Sequence, residues 1–355
     1  YMNPIILEIY VKNIIHNYNE YKKITKNNNI AAVVKSNAYG TGIKKISNIL
    51  INEGCTDFFV ATLDEGIELR KINKYINIYI LNGISKNEIK MFITFKLTPV
   101  INNIKQFNFL IKNNYNITIM LHYDTGMNRL GLNIDEILNI NNKIKNTKIK
   151  FEYIISHLVS AEKIKDIYNS KQLKNFLKLS KILNHKKFSL SNSAGAFINK
   201  NYHFNMIRAG ISIYGGYGNK KIKNKIKHVI KLKAKIIQIK KIFKNQTIGY
   251  NHTFKAKKTM HIATISIGYA DGIPRNISNI GFAYYRGYKS KFVGNISMDT
   301  LVIDVTNFYK IIKLDDYVEL INEKNDIEKI AEQAGTVSQE ILTSFGKRIK
   351  TKYIE

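Results

Sequence analysis

The sequence predicts an α/β protein: a (β/α)8 TIM barrel over residues 1–225, then a second, mainly β C-terminal domain over residues 226–355, with the first residues as candidates to pair with the β domain. Three observations carry this. Short apolar runs recur up to about residue 225, longer stretches with helical spacing separate most of them, and beyond that point apolar and polar positions alternate between glycine turns. A chain of 355 residues suits one large domain plus a smaller one.

In chain order, the runs that read as buried strands are 31–34, 58–61, 76–81, 98–101, 117–121, 151–155, 188–191 and 204–207. Eight such runs with helical stretches between them, among them 64–71, 134–144 and 166–183, are the repeat of a (β/α)8 barrel. Past residue 225, Leu232, Ala234 and Ile236 alternate with lysines, and 261–267, 281–285 and 296–305 read as strands. No long helix is predicted before 326–334.

Lysine and arginine total 56 against 26 acidic residues, a formal charge of +30. The lysines are spread along the whole chain among asparagine and isoleucine, and only six of the 56 cations are arginine, which argues against a specific nucleic-acid partner. No apolar run is long enough to span a bilayer. The segment 1–13 has no basic head followed by an apolar block, and the single cysteine excludes a disulfide framework or a cysteine-cluster metal site. The expectation is a soluble cytoplasmic protein with no metal. Where lysine is the default cation, an arginine points to a need for the planar guanidinium fork; Arg129, Arg208 and Arg275 stand beside glycine or proline in motif-like segments.

The segment Ala31-Ala-Val-Val-Lys-Ser-Asn-Ala-Tyr-Gly-Thr-Gly42 places Lys35 at the carboxyl end of the first barrel strand, the end where barrel enzymes carry their sites. A lysine entering an apolar site must pair, lose its proton or react, and one of lowered pKa forms Schiff bases with aldehydes. On position alone, a strand-end lysine reaching solvent is the commoner case. The neighbours decide otherwise: the run Val-Val-Lys-x-Asn-Ala-Tyr-Gly-x-Gly strongly resembles the lysine signature of the alanine racemase family. That resemblance implies pyridoxal 5'-phosphate carried covalently on Lys35, with Tyr39 on its phosphate.

Further segments resemble the family in the family's order. Asp124-Thr-Gly-Met-Asn-Arg-Leu-Gly131 implies Arg129 at the substrate carboxylate; a guanidinium between glycines suits that task, and taken alone a surface turn fits equally well. Ser156-His-Leu-Val-Ser-Ala161 implies His157 beside the cofactor ring, a role that rests mainly on the resemblance. Ser191-Asn-Ser-Ala-Gly195 and Arg208-Ala-Gly-Ile-Ser-Ile-Tyr-Gly215 imply Ser193, Gly210 and Ile211 on the phosphate and Arg208 at the ring nitrogen. In the second domain, Ile248-Gly-Tyr-Asn-His-Thr-Phe254 implies Tyr250 as the second catalytic base, and the segments around Tyr269 and Met298-Asp299 imply a substrate wall; singly, each also reads as a hairpin turn.

The resemblance implies racemisation of alanine by two bases on opposite faces, Lys35 for the D and Tyr250 for the L enantiomer. It implies that His157 and Arg208 help the phenol, that Tyr250 acts in the partner subunit of a homodimer, and that D-alanine goes to peptidoglycan. The sequence departs from the family at three places. His122 stands where a lysine, sometimes carbamylated, is usual, so Arg129 needs other support, from a direct hydrogen bond or an anion. Gln339 replaces a tyrosine and Ser297 a cysteine, which implies a relaxed pocket with serine as second substrate. Rival readings are a non-catalytic pyridoxal-phosphate protein, which lacks a β domain, a longer barrel-type decarboxylase, and a basic nucleic-acid binder.

Overall fold

In the computed structural model, residues 3–25, 29–183 and 187–355 are described. Strand β1 is Ile5–Tyr10. The strands β2 (Asn29–Val33), β3 (Asp57–Val60), β4 (Asn77–Ile80), β5 (Thr98–Ile101), β6 (Thr118–His122), β7 (Lys150–Ile155), β8 (Phe188–Ser189) and β9 (Met206–Ala209) form one parallel sheet in the order β8-β7-β6-β5-β4-β3-β2-β9. Asn205 N–H to Phe188 O at 2.9 Å and Arg208 N–H to Ser191 O at 3.0 Å draw its two ends together, so the sheet is a nearly closed barrel. Its strands are short and apolar because helices cover them outside and side chains fill the interior; Phe58, Phe59, Val100, Ile101, Met120 and Leu121 are fully buried. The chain divides into two compact units, and Ile15–Ile213 with Tyr217–Ile226 make up this one.

The other unit holds the N-terminal segment to Ile14, Tyr214–Gly216 and Lys227–Glu355. Its strands are β10 (Ile230–Ile242), β11 (Thr247–Ile248), β12 (Phe254–Lys255), β13 (Met260–Ile265), β14 (Phe282–Tyr285), β15 (Tyr288–Lys291), β16 (Leu301–Asp304), β17 (Tyr317–Ile321) and β18 (Lys350–Ile354). β10 is the hub, paired antiparallel with β1, β13 and β17. The alternation of Leu232, Ala234 and Ile236 with lysines reports one buried and one half-buried face. β1 continues to β18 in parallel, and the β11–β12 hairpin stands off the main sheet.

Two predicted strands shift. The run 204–207 is replaced by β9, two residues later, because Phe204 takes a φ of 49°. Within 296–305 only Leu301–Asp304 is strand. Ser297 N–H and its hydroxyl both donate to Thr300 O, at 2.9 and 2.7 Å, and turn the chain before the strand begins.

Candidate active site

β2 ends at Val33, and Lys35 opens a turn whose left-handed conformation the sequence did not disclose. Ser36, Asn37, Ala38 and Tyr39 have φ of 53–55° and Gly40 77°, a left-handed helical turn. Such a turn costs each L-residue roughly 1–2 kcal/mol, so something must hold it. Glu65 supplies much of that hold. Its carboxylate caps the helix Leu63–Ile72 and accepts Ser36 N–H at 2.5 Å and Ala61 N–H at 2.7 Å. Asn37 Oδ1 accepts Ile43 N–H at 2.8 Å, and Ala38 N–H bonds Val34 O at 2.8 Å. Lys35 is half-buried. Burial first, and the Arg129 charge second, hold its amine below the usual lysine value, while Glu65 opposes them.

Around that amine the ends of other barrel strands bring more groups. Arg129 is exposed in the loop after β6. Asp124 shapes that loop, its carboxylate accepting the amides of Gly126 and Met127 at 2.9 Å and of Asn128 at 3.0 Å. Gln172 ties the loop to the end of β7, its amide donating to Thr125 Oγ1 at 3.0 Å and His157 O at 2.9 Å. His122, at the end of β6, makes no hydrogen bond to Arg129 among the described residues; its Nδ1 lies 2.8 Å from Asn102 Oδ1. Asn102 Nδ2 donates to Leu81 O and Val100 O, so Oδ1 is the acceptor and His122 Nδ1 carries the proton. Burial, then Arg208, push His122 down to about 4. Burial, then Arg208 and Arg129, hold His157 well below the usual histidine value, so both imidazoles stay neutral among three cations.

Arg208, in β9, is buried. Its Nη1 donates to Ser189 O at 3.0 Å and Ser189 Oγ at 2.6 Å, and its Nη2 donates to Ser156 O. Burial lowers it to about 10, still charged at neutral pH, and its hydrogen bonds among the described residues all come from Nη1 and Nη2. Beside it, Gly210 N–H donates to Ser193 Oγ at 2.7 Å, which leaves the Ser193 proton free to point elsewhere. A methyl on Gly210 would stand 2.9 Å from Tyr39 Oη and 3.6 Å from Ser193 Oγ, so two hydroxyls and a bare backbone converge on one small space. Burial raises the Tyr39 phenol, which keeps it a donor. Ile211 begins the turn after it.

The barrel unit thus gathers Lys35, Tyr39, Arg129, His157, Ser193, Arg208, Gly210 and Ile211 at the carboxyl ends of its strands. Tyr250, Tyr269, Met298 and Asp299 belong to the other unit. Tyr250 sits at the tip of the β11–β12 hairpin, 68% exposed, its carbonyl accepting from Asn295 Nδ2 at 3.0 Å. Gly249 (φ 71°) and Asn251 (φ 60°) flank it. Tyr269, Met298 and Asp299 are exposed as well. Sequence reasoning missed Glu65, Asn102 and Gln172, whose partners are backbone groups or side chains distant in sequence. The one available signal was the Thr62–Glu65 capping box.

A barrel with a lysine of lowered pKa at the end of one strand and two hydroxyls against a bare glycine backbone at the end of another, followed by a mainly β unit with an exposed hairpin tyrosine, belongs to the class of two-domain barrel enzymes. Within that class the chain belongs to the alanine racemase family: the model of the alanine racemase N-terminal domain matches residues 9–218 and that of the C-terminal domain residues 229–353. It is 40% identical over 361 residues to the alanine racemase of Rickettsia akari, covering 100% of both chains. It is similar to the crystal structure of alanine racemase from Bartonella henselae with covalently bound pyridoxal phosphate (TM-score 0.94, 34% identity, 100% of each chain). It is likewise similar to alanine racemase from Acinetobacter baumannii (TM-score 0.92, 30% identity, 99% of this chain and 100% of that one).

Proposed function

We propose that this chain is an alanine racemase that holds pyridoxal 5'-phosphate on Lys35 and interconverts L- and D-alanine with Tyr250 of the partner subunit as the opposing base. The observation that supports the cofactor is the cradle: Tyr39 Oη and Ser193 Oγ converge on the bare backbone of Gly210, whose N–H donates to Ser193 Oγ, and Ile211 opens the turn that follows. The donor set fits a phosphate, and the Arg208 Nε–H, not engaged among the described residues, fits an unprotonated ring nitrogen. When bound, the cofactor supplies an electron sink that acidifies the substrate Cα–H.

The residues then divide the work. Lys35 Nζ, held at lowered pKa, takes or returns the Cα proton on one face. Tyr250 Oη does so on the other, and no base has to move. Arg129 offers its exposed guanidinium to the substrate carboxylate. Arg208 can only donate, so it would hold a ring nitrogen that carries no proton and would keep the withdrawal of electrons moderate, which favours return of the proton to Cα over transfer elsewhere. Exposure of Tyr250, Tyr269 and Met298 together supports a homodimer in which this rim meets a partner. No helix among the described residues is long and apolar enough to cross a membrane. The product serves peptidoglycan assembly in the cytoplasm on this reading, and Gln339 with Ser297 loosens the pocket enough to admit serine.

The test is chemical. Borohydride treatment of the yellow protein should fix the cofactor to one peptide, the one containing Lys35, and L-alanine in deuterated water should exchange its α-proton as it racemises. Lys35→Ala should be colourless and inactive. A cofactor fixed at another lysine, or α-exchange that survives in Lys35→Ala, would overturn the assignment.

A further inference from the structure

Three loops of the β unit, 267–272, 294–299 and 344–348, meet at one arginine. Arg348 Nε donates to Asp271 Oδ1 at 2.8 Å and its Nη1 to Asp299 Oδ1 at 2.6 Å. Asp271 is 1% exposed, and its other oxygen accepts Gly268 N–H at 3.0 Å. Tyr269 N–H to Ser297 O at 3.0 Å and Ala270 N–H to Met298 O at 3.1 Å join the first two loops. They are so close that a methyl on Gly268 would stand 2.3 Å from both Ser297 O and Met298 O. The third loop is joined to the first by Ser344 Oγ to Gly272 O at 3.0 Å. Where lysine serves almost everywhere as the cation, an arginine here matches the need for one rigid fork that addresses two carboxylates on different loops.

We propose that Arg348 is a positioning residue: its guanidinium clasps the loops that carry Tyr269, Met298 and Asp299, and so sets the width of the amino-acid pocket and its preference for a methyl side chain. This rests on the reading of those three residues as the substrate wall. The clasp acts through Asp299 and Asp271 and touches no reacting atom.

The experiment compares Arg348→Gln, Asp299→Asn and the double variant in the holoenzyme, with L-alanine, D-alanine and L-serine. Arg348→Gln should raise KM for both alanine enantiomers about tenfold and cut the preference for alanine over serine several-fold, with kcat within about twofold and the cofactor absorbance unchanged. The double variant should lose less than the two single variants combined, since residues that act through one contact are not additive. Arg348→Lys, whose single ammonium reaches one carboxylate, should recover part of the loss, and it carries the test alone if stranding the buried Asp271 prevents Arg348→Gln from folding. Unchanged KM and preference in whichever variant folds, or additive losses in the double, overturn the clasp. Met298→Ala separates the two ideas: raised KM there with silent Arg348 variants sinks only the clasp, while silence at Met298 sinks the wall and the clasp with it.

Discussion

At the scale of single residues, the barrel mouth is a problem of charge. Lys35, Arg129 and Arg208 crowd it, and the two histidines among them are kept neutral chiefly by burial. For His122 the folded value of about 4 lies below the ordinary 6.5. Between those values the unfolded chain binds more protons than the folded one, so this contribution to stability is complete above about pH 6.5 and is lost as pH falls toward 4. Thermal melts from pH 7 to 4 should show a falling midpoint, and His122→Asn should flatten the fall; an unchanged slope would contradict the neutral imidazole. Arg208→Lys should lose the fork that serves Ser189 and Ser156 and cost about 1–3 kcal/mol in urea unfolding, because buried carbonyls lose their donors.

At the scale of elements, the left-handed turn after β2 is the feature on which the position of Lys35 depends. Glu65→Gln keeps the shape but removes the charge that gathers the amides of Ser36 and Ala61. Its expected cost is about 1–2 kcal/mol, with weaker retention of pyridoxal phosphate measured by dialysis. The barrel strands were legible because apolar runs of strand length need no partner to be recognised: β5 and the helix Ile134–Ile144 fall where the pattern puts them. The hand of the turn was not legible. Left-handed dihedrals at Ser36 and Ala38 run against the preferences of those residues and are held in part by Glu65, some thirty positions away, through the Ser36 amide. The strand within 296–305 is shorter than its apolar pattern for a related reason: Ser297 bonds its own local backbone, and the ladder begins only at Leu301. Motif order made the site segments visible, but Asn102 and Gln172 act through carbonyls and amides that no motif records.

At the scale of the whole molecule, the residues proposed for one reaction are divided between two compact units, Lys35 in one and Tyr250 in the other. The central claim is that a barrel lysine and the hairpin tyrosine of a second copy work on opposite faces of one substrate. Subunit mixing tests it most directly. Lys35→Ala and Tyr250→Phe, each inactive alone, are unfolded together, refolded and assayed for alanine racemisation. If the site is shared across the dimer, half the dimers are mixed and each of these keeps one intact pair, so activity should return to about a quarter of the wild-type level. If both bases come from one chain, every site in the mixture lacks one of them, and a mixture as dead as its components would contradict the account.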